Sequence, residues 1–121
     1  MESTAIALNQ FFSSFGLPAY SEDTVPDDAV LPYITYRLVE PEWSQKATMY
    51  AQVWYRTYSN AIVNAKADEI LRAVSTGVIL QCIGGYLVIW PDSPACQIIV
   101  DGDVRRAYLN FSINSYHLPG A

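Results

Sequence analysis

At Ser59 the hydrophobic period of this chain changes from two residues to 3.6, and no other feature of the sequence constrains its fold as tightly. Upstream, Met49 to Tyr58 is rich in aromatic and β-branched residues. Tyr50, Trp54 and Tyr58 fall on one face of a strand, and Met49, Ala51, Val53 and Tyr55 on the other. Downstream, from Asn60 onward, Val63, Ala67, Ile70, Leu71 and Val74 recur at helical spacing, while Asn64, Lys66, Asp68, Glu69 and Arg72 lie off that stripe. The pattern predicts a strand running directly into an amphipathic helix that docks on a sheet. Ser59 is placed to cap the helix, Asp68 and Arg72 to pair on its surface, and Gly77 to end it in the left-handed conformation.

The elements around this junction follow from similar signals. Ile6, Leu8, Phe11, Phe12 and Phe15 give an amphipathic helix over Thr4 to Phe15, capped by Ser3 or Thr4 and stopped by Gly16. Gly16 to Leu31 carries Pro18, Pro26 and four acids and reads as a long acidic loop, with Tyr20, Val25, Val30 and Leu31 available to anchor it. Tyr33 to Val39 alternates as a half-buried strand. The connection from Glu40 to Thr48 predicts a wide hairpin with Trp43 at or near its tip, either folded back on the sheet edge or exposed as a contact residue. After the helix, Val78 to Ile83 and Tyr86 to Trp90 flank a tight turn at Gly84-Gly85. Pro91 to Pro94 reads as a turn, Cys96 to Val100 as a short strand, and Arg105 to Tyr116 as a strand with Ala107, Leu109, Phe111 and Ile113 on one face. Residues 117–121 read as a tail.

The expectation is one domain, 1–121, of the α+β class: an antiparallel or mixed sheet packed against two helices in the order α-β-β-α-β-β-β(-β). No apolar run approaches the roughly 18 residues needed to span a bilayer, and the N-terminus has no basic region followed by an apolar one, so no membrane association and a cytoplasmic site of assembly are expected.

Chemistry has little to work with. His117 is the single histidine, and Cys82 and Cys96 sit in apolar, strand-like contexts without zinc-site spacing. Gly84-Gly85 lacks the pattern of a phosphate loop, and DGDVRR (101–106) lacks the remaining ligand spacing of a calcium loop. No enzyme activity, cofactor or metal is expected. The net charge of -5 argues against binding a phosphate backbone. Only 16% of the residues are charged against about 25% in a typical soluble domain, and nine tyrosines and three tryptophans accompany them. Such a composition suits either an aromatic-rimmed β core or surfaces buried by partners.

Four phrases in order, LPYITYRLVEPEW, AQVWYRTYSNAIVNAKADEIL, GGYLVIWPDSP and DVRRAYLNFSIN, resemble the small tail terminators, or tail-completion proteins, of siphophages and prophages of Gram-positive bacteria. The resemblance spans about Leu31 to Asn114. It implies a virion structural protein whose subunits form a six-fold ring at the head-tail interface. That ring caps the tail tube, fixes its length and meets the head connector or stopper protein, and DNA passes through it without specific binding. Trp43, Tyr50, Trp54, Arg56 and Tyr108 are the expected ring contacts, although each also suits packing within the chain. Glu22, Asp23, Asp27 and Asp28 are expected to line or approach the channel. The rival readings are a head-completion or stopper protein of the connector and a small non-structural protein that binds a host target.

Overall fold

The computed structural model describes residues 3–39, 46–82 and 84–117. Trp43 and the rest of the expected hairpin tip lie outside them, as do residues 118–121. The elements are α1 (Thr4–Ser13), β1 (Ala19–Ser21), a turn of 3-10 helix (Glu22–Thr24), β2 (Tyr33–Val39), β3 (Lys46–Arg56), α2 (Asn60–Val74), β4 (Val78–Cys82), β5 (Gly85–Asp101) and β6 (Val104–His117). All six strands form one sheet in the order β1-β2-β3-β6-β5-β4. The β1–β2 pair is parallel and the other four are antiparallel. The class is α+β with a mixed sheet.

The cap signals act as expected at both helix starts. Ser3 Oγ accepts from the Ile6 amide at 3.2 Å and Ser59 Oγ from the Ala61 amide at 3.2 Å, each satisfying an N–H that the helix leaves free. The expected Asp68–Arg72 pair does not form; Lys66 instead reaches Glu69 at 3.0 Å and donates to the Phe15 carbonyl at 2.7 Å, which ties α2 to the end of α1.

Four further expectations need correction. The Gly16 to Leu31 loop contains β1, a three-residue edge strand too short to show a period; it joins β2 in a register that starts with Ala19 beside Ile34, where the Ile34 amide donates to the Pro18 carbonyl at 2.8 Å. The segments on either side of Pro91–Pro94 are one strand, β5. Its register against β6 shifts there, so Asp92 to Ala95 stand opposite Asn110 alone, and Asn110 Nδ2 holds the Pro94 carbonyl at 2.8 Å. Proline has no N–H to donate to a ladder, which is why the irregularity falls where two of them sit. Gly85 belongs to β5, where it pairs with Cys82, and not to the turn before it. Finally, β6 runs on to His117, which pairs with Gly85 and so ends a strand instead of opening a tail.

The core lies between one face of the sheet and the two helices. Val63, Ala67, Ile70 and Val74 of α2 are buried against β3, β5 and β6, where Met49, Ala51, Val53, Ile89, Leu109 and Phe111 meet them. From α1, Leu8 and Phe12 enter the same layer, with Phe12 stacked on Tyr36 at 4.8 Å and edge-on to Phe111 at 6.1 Å. The helix α1 packs against both β1 and β4, which are the two edges of the sheet. In a flat sheet those edges would stand roughly 24 Å apart, at about 4.8 Å per strand, and a ten-residue helix is only about 15 Å long. The sheet must therefore curl around α1.

Gly77 ends α2 at φ +85°, and a Cβ placed there would come within 2.8 Å of the Trp90 ring; Gly16 has the same φ, and a Cβ there meets nothing within 4 Å. We expect Gly16→Ala to cost about 1 kcal/mol, the left-handed backbone term alone. Gly77→Ala should cost clearly more because Trp90 must also move. Urea denaturation of the two variants measures the difference, and equal losses would show that the indole yields freely.

Candidate functional site

The face of the sheet turned away from the helices is built from alternate residues of its three central neighbours. Cross-strand register aligns them in three rows: Tyr33, Trp54 and Arg106; Thr35, Gln52 and Tyr108; Arg37, Tyr50 and Asn110. Each row takes one residue from β2, one from β3 and one from β6.

Within this grid the side chains bind one another. The Arg106 guanidinium lies 4.9 Å from the centre of the Trp54 ring, and its Nη1 donates to Gln52 Oε1 at 2.5 Å. Trp54 Nε1 donates to Thr35 Oγ1 at 2.9 Å, and Tyr33 packs against Trp54 on one side and Tyr20 on the other, at 6.3 and 5.7 Å. Tyr50 and Tyr108 are stacked at 5.1 Å, and the Tyr50 hydroxyl donates to Glu22, which also lies 3.8 Å from Arg37. Thr35 and Gln52 are only 5% exposed on a face that neither α1 nor α2 covers. Their cover is the layer of rings and guanidinium to which they are hydrogen-bonded.

Of the expected contact residues, Tyr50, Trp54 and Tyr108 come together here. Arg56 shares the face but stands at its rim, paired with Asp103 at 2.6 Å. That pair belongs to a latch in which the Thr57 amide donates to the Asp103 carbonyl at 2.7 Å and Arg105 reaches Thr57 O and Asn60 Oδ1, at 3.3 and 2.5 Å. The four expected channel acids separate. Glu22 joins the grid through Tyr50. Asp23 borders an open groove of about 600 Å³ between the start of α1 and the end of β2, and Asp27 and Asp28 are exposed on the connection into β2.

Tyr33, Thr35, Arg37, Gln52, Arg106 and Asn110 complete the grid, although the sequence did not single them out as contacts. One signal for Gln52 is its amide within the otherwise apolar and aromatic run from Met49 to Tyr55. A second patch on the same face was also missed. Ile79 of β4 and Trp90 of β5 are 65% and 41% exposed, Val88 pairs with Ile79, and Tyr86 stacks on Tyr116 at 5.0 Å. The run VILQC is apolar at four of five positions and so conceals which side is open.

Among the described residues no three His, Cys, Asp or Glu side chains gather where they would hold a metal ion. Burial, reinforced by the charge of Asp68, raises the Cys96 thiol above its ordinary pKa, which disfavours the nucleophilic thiolate at neutral pH. What the open face offers is recognition chemistry: stacking surfaces, amide and hydroxyl groups, and an ordered guanidinium. No protein-family model and no curated protein matches the chain.

The hydrogen bond to Glu22 is the main cause that raises the Tyr50 phenol above its ordinary pKa, with burial adding to it. A raised pKa means that this contact stabilises the fold fully below about pH 10 and is lost as pH climbs through the folded value. Tyr50→Phe should cost about 0.5 kcal/mol at neutral pH, and wild type and variant should converge at high pH in urea denaturation. At Asp103 the sign reverses: its hydrogen bond from Arg56 is the main cause that lowers the carboxyl pKa. Its contribution is complete above the ordinary carboxylate range and disappears as pH falls through the folded value. Thermal melts of Asp103→Asn should therefore match wild type in acid and fall below it at neutral pH.

Proposed function

We propose that this chain is a structural protein of a phage virion, a tail terminator whose subunits form a ring on the end of the tail tube. The observation that carries the reading is the open face, where three rows of mostly aromatic and amide side chains are ordered by mutual contacts without a covering layer. A face of this kind suits burial against another protein, since Trp, Tyr and Arg dominate the energetics of interfaces and their ordering here is already accomplished. The four phrases between Leu31 and Asn114 that resemble tail-completion proteins direct the reading to the head-tail interface.

In this reading the two helices keep one side of the subunit as its core, and the other side serves contact with neighbouring subunits, the tube protein or the head connector. Six subunits related by rotation meet through unlike patches, and such contacts close on themselves. Whichever of Glu22, Asp23, Asp27 and Asp28 stand free of subunit contacts and approach the channel repel DNA, so that the genome passes without being held.

A phage with an early stop codon in this gene tests the assignment. Electron microscopy of its lysates should show overlong tails beside unattached, DNA-filled heads. Tails of normal length beside heads that have lost their DNA would move the protein to the connector, and intact infectious particles would remove it from the virion.

A further inference from the structure

Arg106 is a cation of the open face that is held by an aromatic ring and an amide and has no carboxylate within 4 Å among the described residues. Its guanidinium lies over Trp54 at 4.9 Å and donates to the buried Gln52 amide oxygen at 2.5 Å. Among the described residues, Arg37, Arg56 and Lys66 each have a carboxylate within 4 Å, whereas Arg106 has none. Arg72 and Arg105 also have none among the described residues, but Arg72 stands exposed on α2 and Arg105 is engaged by Thr57 O and Asn60 Oδ1. A guanidinium presents five donors in a planar fork that matches a carboxylate, and one of them is used here.

The same chain carries the complementary feature. Asp27 and Asp28 are exposed on the connection that leads into β2, and neither is paired with a cation among the described residues. We infer that Arg106 on its Trp54–Gln52 platform receives a carboxylate from a second copy of this chain, supplied by Asp27 or Asp28. This deepens the ring reading and rests on it. Receptor and donor occupy different places on the subunit, Arg106 within the sheet on β6 and the two aspartates on the connection before β2. Each subunit can therefore give with one patch and receive with the other, as a head-to-tail contact requires. The arginine loses little freedom when the carboxylate arrives, because stacking and the Gln52 bond already hold it.

Sedimentation equilibrium of the full chain at low salt, over a wide concentration range, tests the contact by charge reversal. We expect the wild-type chain to self-associate and Arg106→Glu to weaken that association by about tenfold or more. Asp27→Lys/Asp28→Lys, on exposed positions that leave the core untouched, should weaken it similarly and guards against misfolding of the first variant. The chain carrying all three substitutions should regain most of the association, since both halves of the contact are reversed together. If the oligomer of either reversed variant is as tight as wild type, or the triple variant is as weak as the singles, the inference is overturned while self-association still supports a ring. A wild-type chain that stays monomeric throughout also overturns it, and the tail-length assay then judges the ring reading separately.

Discussion

Two helices cannot cover both faces of a six-stranded sheet. Each is about 10 Å across, and a sheet of this width presents roughly 24 Å on each side before it curls. With α1 and α2 on one side, that side is filled: α2 lies over β3, β5 and β6, and α1 reaches both edges. Curling brings β1 and β4 toward each other and lets Phe12 occupy the middle, against Tyr36 and Phe111. The consequence is an asymmetric subunit, with an aliphatic and aromatic core on the helix side and a second face that its own side chains must protect.

That protection has a cost in chemistry that the residues meet. Long side chains lying along a sheet bury whatever is beneath them, so a polar group there must find a partner or lose its hydrogen bonds to water. Thr35 finds the Trp54 indole and Gln52 finds Arg106. No buried side-chain nitrogen or oxygen among the described residues lacks a partner. The result is a surface whose rings and guanidinium are locked to one another before any partner arrives. Its order comes from the chain's own contacts, unlike the mobile side chains of an ordinary solvated sheet.

The junction at Ser59 ties the two sides together. Ser59 caps α2, its own amide is held by Thr57 Oγ1 at 3.1 Å, and Thr57 is latched to the tip of the long β5–β6 hairpin through Asp103 and Arg105. Strand β3, helix α2 and hairpin tip thus meet at one corner.

Local signals in the sequence were enough for several elements. Alternation from Tyr33 to Val39 defines β2, the helical stripe from Val63 to Val74 together with Ser59 defines α2, and the strict alternation after Arg105 defines most of β6 and its buried face. These features depend on residues within a few positions of one another, so a period of two or 3.6 reveals them. The period also put Tyr50 and Trp54 on one side of their strand. What it does not contain is which side the helices take, how strands far apart in the chain pair, or which charges find partners. Strand β1 exists because β2 offers it an edge, β5 continues through its prolines because β6 supplies Asn110, and Arg106 meets Trp54 only because β3 and β6 are neighbours in that register. By itself the sequence determined most of the elements and the two-sidedness of the strands; the tertiary structure alone decided which residues of the helix-free face bind one another, because cross-strand pairing is a property of the assembled layers.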